Sequence, residues 1–302
     1  MTGGIVTPAV LDWAGRIRPG ADVADCTVRP LAGGSVARRV EQLTLHLTDG
    51  GEPLELVRKD APALEIAGLR AAQAVRRDDS AIPELVACGS DWLITPLAPG
   101  SPLDWGDAAP ANLFGTLAVL HAHYHGGDGL PAAIPRVTPA WWRALCRDWV
   151  VPRLGEHAGR HPARVTRRAR TLIDRAAGLP AVPSVLAELP ATLLHGDVHP
   201  GNVLADADRA TLIDWGSSRV GPAALDLANL VTAESPDVAR YIRTWERSAG
   251  QPLPAASIGL GYRWAALQIP VQYLPWTIGH RPARDVEAAL DRIEQALDQL
   301  PA

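Results

Sequence analysis

Between Leu193 and Asp214 the chain reads LLHGDVHPGNVLADADRATLID, in which two apolar runs of strand length each deliver an aspartate to a loop. Pro200 pre-sets φ at the first corner of a turn, and Gly201 accepts the positive φ that a type II turn needs next. Such a reversal brings Asn202 back beside Asp197. VLADADRATLI then reads as a short hairpin that carries Asp214 to a strand end near Asn202, and Gly216 lets the backbone turn away. A lone D-x-x-x-x-N is an ordinary polar turn, and a lone strand-end aspartate is a loop cap. Paired, they place an amide oxygen and two carboxylates together, a set suited to accepting a proton from a hydroxyl and to ligating a hard cation such as Mg²⁺.

A second constraint lies upstream. Of 29 basic residues, Lys59 is the only lysine, and it ends the strand-like run LELVRK. A chain so biased towards arginine keeps an ammonium here for a task that suits a compact point charge and not a wide guanidinium fork.

The pattern around these motifs divides in two. CTVRPLAGGSVARRVEQLTLHLTDGGEPLELVRK alternates apolar and polar residues about the turn at Thr48–Gly51 and predicts strands. APALEIAGLRAAQAVRR predicts a helix after Pro62, and IPELVACGSDWLITPLAPG two short strands ending at Pro99–Gly100. Beyond Gly100 the spacing is helical in ANLFGTLAVLHAHYH, PAWWRALCRDWVV, PARVTRRARTLIDRAA and ARDVEAALDRIEQALDQL, and generally from Pro222 onward. The expected class is therefore α+β, a small β-rich lobe followed by a larger helical one.

Net charge is −4 at pH 7, which gives no electrostatic footprint for nucleic acid. The arginine-dense stretch 160–175 is expected to be a solvated helix face. No apolar run approaches membrane-spanning length, and the N-terminus lacks a basic leader followed by an apolar core. Cys26, Cys88 and Cys146 are odd in number and scattered, which argues against a disulfide framework or zinc site and suits a reducing cytoplasm, and the charge and hydropathy above lead to the expectation of no nucleic-acid or membrane partner. His121, His123 and His125 have spacing that could seat a transition metal, but on an apolar helix the structural reading is favoured. Trp141, Trp142 and Trp149 are expected in the core. Packing is also the expected role of Tyr262, Trp264, Tyr273 and Trp276.

HGDVHPGN followed by IDWG resembles the aminoglycoside phosphotransferase and choline kinase family, small-molecule kinases of the protein-kinase-like fold. LAGGSVARRV resembles that family's phosphate-covering loop, ELVRK its third strand, LEIAGLRA the helix whose glutamate pairs with the lysine, LITPLAPG its hinge, LAVLHAH the helix after it, and VGPAALDLANL the helix following the metal aspartate. The resemblance implies a nucleotide-binding lobe over residues 1–95, a hinge at 96–100 and a catalytic and acceptor-binding lobe over 101–302. It makes Asp197 the catalytic base and gives Asn202 and Asp214 the Mg²⁺. Lys59 holds the nucleotide phosphates, oriented by Glu65, and Gly33, Gly34 and Ser35 offer backbone N–H groups to them. Main-chain groups of Pro96 and Ala98 meet the adenine edge, while His195 and Asp226 support the site structurally. The implied reaction is ATP- or GTP-dependent phosphorylation of a small-molecule hydroxyl.

The segment after Asp214 is too short for the peptide platform of a protein kinase. A pseudokinase usually lacks the lysine, base or a metal ligand, and none is lacking here. The favoured acceptor is an aminoglycoside or other antibiotic, with Asp104, Asp107, Glu234, Asp237 and Glu246 available to attract a polycation. The alternative is a metabolic alcohol such as choline, homoserine or a sugar.

Overall fold

The computed structural model describes residues 6–31, 39–157 and 159–300. They gather into two compact units. One takes residues 1–120, 130–134 and 195–218, and the other 121–129, 135–194 and 219–302.

The first unit opens on a helix the sequence reading did not anticipate, α1 (Pro8–Ile17). The Thr7 hydroxyl accepts the Val10 N–H, and Pro8 stands at the helix start, where its missing N–H costs nothing. Five antiparallel strands follow: β1 (Val23–Pro30), β2 (Val40–Leu47), β3 (Leu54–Asp60), β4 (Ala87–Cys88) and β5 (Trp92–Pro96), in the spatial order β1-β2-β3-β5-β4. Period-two alternation sends Leu43, Leu45, Leu56 and Ile94 into one core with Val10, Trp13 and Ala14 of α1. Lys59 leaves the opposite face, in register with Val40 and Leu93. The helix α2 (Ala63–Ala72) connects β3 towards β4, starting one residue after Pro62 as expected.

After β5, β6 (Ser101–Pro102) precedes α3 (Ala111–His123), whose Leu113, Phe114 and Leu117 are wholly buried. The next helical run is segmented into α4 (Pro139–Ala144), a π-helical turn (Leu145–Val150) and α5 (Val151–Glu156). The backbone stays helical through Val150 and Val151, so Pro152 falls inside one continuous helical run, directly after the π-helical turn. Trp142 joins the second unit's core and donates its indole N–H to the Ala176 carbonyl, but Trp149 is half-exposed beneath Arg153 and is not a core residue. Then come α6 (Ala163–Ala177), α7 (Val182–Glu188) and β7 (Ala191–Leu194).

The chain re-enters the first unit with the hairpin β8 (Val203–Asp206) and β9 (Arg209–Leu212), to which β6 adds an edge strand. It closes in the second unit with β10 (Arg219–Pro222), paired antiparallel to β7, and the helices α8 (Pro236–Ala249), α9 (Ala255–His280) and α10 (Ala283–Gln299). The helix expected over VGPAALDLANL is instead β10 followed by a 3-10 turn, Ala223–Asp226. Strand pairing of Arg219–Pro222 with β7 claims the residues that a longer helix would need.

The arginine-rich α6 is more than a solvated face. Arg164, Arg168 and Arg175 reach Glu287, Asp291 with Glu294, and Asp298 of α10, while Val165, Ala169, Leu172 and Ile173 point inward. No helix among the described residues is long and apolar enough to cross a membrane.

Candidate active site

β7 ends at Leu194, and Gly196 then takes φ +82, a left-handed conformation that turns the chain towards Asp197. His195 is fully buried and fastens this turn at both ring nitrogens. Its Nδ1 accepts the Asp197 N–H at 3.3 Å, so the ring proton is on Nε2, which donates to the Ile213 carbonyl at 2.9 Å. The imidazole thus ties the loop bearing Asp197 to the strand end bearing Asp214. It also packs edge-on against Trp215, with ring centroids 4.8 Å apart.

The reversal expected at His199–Asn202 is a 3-10 turn, with Pro200 at its first position. Asn202 is buried, and its Nδ2 donates to the Asp197 carbonyl at 2.9 Å and to Asp197 Oδ2 at 3.3 Å. With the nitrogen committed to that side, Oδ1 is the face left for a cation. The Ile213 N–H donates to the Asn202 carbonyl at 2.9 Å, continuing the β8–β9 ladder in which Val203 faces Leu212. The hairpin read from the sequence therefore does set Asp214 one residue beyond a pairing with Asn202. Asp214 itself has φ +65 and ψ +66, unusual for a residue with a side chain and tolerated best by aspartate and asparagine. Strain of this kind persists only where the surroundings fix it.

Lys59 crosses to the same place. Its Nζ donates to Glu65 Oε1 and to Asp214 Oδ1, both at 2.9 Å. Burial alone would push the ammonium down, but the two carboxylates outweigh it and its pKa lies above the ordinary lysine value. Glu65 is deeper, so burial outweighs the pull of Lys59 and its carboxyl lies above the ordinary range; the Trp215 N–H also donates to it. Gly68 makes this approach possible. A Cβ there would stand 2.0 Å from Ser218 Oγ, so only glycine lets α2 bring Glu65 against the turn after Asp214. The six-residue gap from Lys59 to Glu65 is short, yet it suffices because α2 starts at Ala63.

Over the segment expected to be the hinge, the Leu97 N–H still donates to the Glu55 carbonyl of β3. Alternation turns the backbone groups of Pro96 to the other side, where β4 has ended at its pairing with Leu93 and Ile94. The Pro96 carbonyl thus faces an uncovered sheet edge, with Ala98 following. Gly33, Gly34 and Ser35 lie outside the described residues. Asp226 is fully buried in the second unit. There His121 Nε2 lies 3.3 Å from its Oδ2, and His121 Nδ1 lies 2.9 Å from the Tyr241 hydroxyl. His123 and His125 do not join it but pack against Tyr124 and Trp245.

Two residues at the site went unremarked in the sequence. His199 accepts the Gly201 N–H on Nδ1, and its Nε2 lies 3.8 Å from Asp197 Oδ2. Trp105 lies nearly parallel to the His199 ring. The adjacency of His199 to Asp197 within HGDVHPGN was a signal; nothing local marks Trp105.

A base candidate, a buried amide oxygen, a second aspartate and a paired lysine make a constellation for phosphoryl transfer, which needs charge neutralisation and in-line placement more than covalent chemistry. Known proteins agree at the level of fold. The chain is similar to a choline kinase of Cryptosporidium parvum Iowa II (11% identity, 90% of this chain and 88% of that one, TM-score 0.60). It is likewise similar to a putative fructosamine-3-kinase of Thermobifida fusca YX-ER1 (23%, 96% and 98%, TM-score 0.56). A third likeness is to a thermostable mutant of aminoglycoside phosphotransferase APH(4)-Ia in ternary complex with ADP and hygromycin B (18%, 96% and 98%, TM-score 0.54). These establish a protein-kinase-like fold, with its small antiparallel sheet and larger helical part. A search of curated protein sequences returns no match. The profile of the phosphotransferase enzyme family matches residues 27–265, a span that holds every site residue described above. The chain belongs to that family and is a small-molecule phosphotransferase.

Proposed function

We propose that this enzyme transfers the γ-phosphoryl group of ATP or GTP to a hydroxyl of an aminoglycoside or another antibiotic of that polyhydroxylated kind, in a resistance or self-protection role. The observation that carries the transfer chemistry is Lys59 Nζ at 2.9 Å from both Glu65 and Asp214, which sets one ammonium between a buried anchor and a metal-ligand candidate.

In this reading Asp197 takes the proton as the acceptor oxygen forms its bond to phosphorus and the bond to the nucleoside diphosphate breaks. Asn202 Oδ1 and the Asp214 carboxylate would hold Mg²⁺, and hard oxygen donors fit that ion. When bound, the metal neutralises charge on the phosphates. Lys59 binds phosphate oxygens, and Glu65 aims it. His195 keeps Asp197 and Asp214 in fixed relation, and Asp226 braces the second unit through His121. The Pro96 carbonyl and the Ala98 main chain meet the base, with Gly33, Gly34 and Ser35 covering the phosphates. Residues 1–95 then form the nucleotide lobe, 96–100 the hinge and 101–302 the catalytic and acceptor lobe.

The hygromycin B in the APH(4)-Ia complex supports an antibiotic acceptor, as do the exposed carboxylates Asp104 and Asp107, which share a turn just past the hinge. Expression in a sensitive bacterium tests it against an antibiotic panel. The inhibitory concentration of at least one aminoglycoside is expected to rise with the wild type and not with Asp197→Asn. An unchanged panel with active nucleotide consumption on choline, homoserine or a sugar would move the enzyme to metabolism.

A further inference from the structure

The most exposed large apolar side chain among the described residues, Trp105 at 72%, stands beside the proposed catalytic loop. Its support is rigid. The Leu103 N–H donates to the carbonyls of both Pro200 and Val203, β6 pairs with β8, and Gly100 admits no Cβ because Ala205 O would be 2.0 Å away. A turn closed by Asp104 N–H donating to Asp107 Oδ2 then presents the indole. The His199 imidazole lies within 11° of parallel to it, centroids 6.5 Å apart, and the Gly201 N–H bonded to Nδ1 leaves the Nε2 proton towards Asp197 Oδ2, 3.8 Å away. The loop that holds the indole is stitched to the loop that holds Asp197, which keeps an open aromatic face beside that carboxylate's loop.

We propose that Trp105 and His199 form an acceptor shelf, which takes one face of a saturated, hydroxylated ring while a hydroxyl at the ring's rim reaches Asp197. This rests on the reading of Asp197 as the base. A saturated ring suits the shelf because its C–H bonds meet the electron-rich ring faces and its hydroxyls project sideways. A quaternary ammonium prefers aromatic rings that enclose it, and the open face of Trp105, with only the His199 ring stacked nearly parallel to it, gives no such cage. Trp105 is a specificity residue in this scheme. His199 is a positioning residue: its ring stacks nearly parallel to Trp105, and its Nε2 proton faces the carboxylate.

The test measures nucleotide consumption and ligand-observed saturation-transfer NMR with hygromycin B, methyl α-glucopyranoside and choline. Wild type is expected to bind and turn over a ring-bearing probe in preference to choline, with the strongest transfer at ring C–H protons. Trp105→Ala should raise the acceptor KM about tenfold, the loss of one stacking contact, with kcat and the nucleotide KM within about twofold. Trp105→Phe should restore most of it. His199→Asn keeps an acceptor for the Gly201 N–H but no ring, and should raise acceptor KM and lower kcat together. Preference for choline, no binding of either ring-bearing probe, or a KM indifferent to Trp105→Ala would overturn the shelf. Probe binding that depends on Trp105 without any nucleotide consumption would leave the shelf standing and defeat the transfer reading. Consumption indifferent to Trp105 would do the reverse.

Discussion

Lys59 shows how one residue can be legible in a sequence for a reason that its structure then sharpens. Its singularity pointed to a compact charge; the structure shows that charge shared between two carboxylates at equal distance. A guanidinium is longer and planar and cannot place one nitrogen midway between them, so Lys59→Arg should cut phosphoryl transfer by about a hundredfold or more while the protein stays folded. Lys59→Met asks a different question, because it leaves Glu65 buried without a cation. Breaking such a pair costs about 3 kcal/mol or more. The cost also has a pH sign. A carboxyl whose folded pKa is raised keeps its contribution below the unfolded value and loses it as pH climbs through the folded one. Lys59 now holds the Glu65 value down against burial, so without it the loss reaches to higher pH. Denaturant titrations should therefore find Lys59→Met ever less stable than wild type as pH rises from 5 to 8, and Lys59→Met combined with Glu65→Gln should flatten that trend. Asp197, Asn202 and Asp214 were legible for a related reason, since the reversal at Pro200 and the hairpin spacing bring them together, although the reversal is a 3-10 turn and Gly201 does not take the positive φ expected of a type II turn. Trp105 was not, because its partner lies ninety-four positions away and only the fold brings the two rings together.

At the scale of elements, α6 and α10 set two kinds of interaction side by side. Three arginines of α6 pair with carboxylates of α10, all on the exposed side, while Leu172 and Ile173 of α6 and Val286, Leu290 and Ile293 of α10 join the same buried core. Exposed pairs are worth roughly 0.5 kcal/mol each and fade with salt, whereas emptying a buried leucine or isoleucine position costs about 2–5 kcal/mol. Arg168→Ala should thus lower stability by less than about 1 kcal/mol in dilute buffer and by almost nothing in molar salt, while Ile293→Ala lowers it severalfold more in both. Equal effects would mean the ladder is more than a surface. Helical periodicity showed both elements in the sequence. What it could not show was their pairing, nor that Arg219–Pro222 would be drawn into a strand by β7 where the family resemblance implied the start of a helix. α1 escaped notice too, although its Thr7–Pro8 start was a usable cap signal.

For the whole molecule, the compact units do not follow the order of the chain. A cut at residues 96–100 separates lobes in a line, but the segment 195–218 gathers with the first 120 residues. Lys59, Glu65, Asp197, Asn202 and Asp214 consequently belong to one unit, and so do Pro96 and Ala98. A nucleotide held by that set stabilises the fold that binds it, by about 2.7 kcal/mol at a concentration one hundred times its dissociation constant. Hydrogen exchange is the measurement that places this gain. Addition of ATP with Mg²⁺ should slow exchange in β3, in β5 through Ala98, and across 195–218, while α6 and α10, whose stability comes from their own packing, change little. Chelation of the metal should return 195–218 towards the free rate more than β5, because the proposed cation ligands Asn202 and Asp214 lie in the former and none is proposed in the latter. Asp214→Asn preserves a residue that tolerates the left-handed backbone but gives up a charge, so it should imitate chelation with the nucleotide still protecting the hinge. Protection by nucleotide that is strongest in α6 and α10, or that is indifferent both to chelation and to Asp214→Asn, would remove Asp214 from the metal site and with it the mechanism built on Lys59.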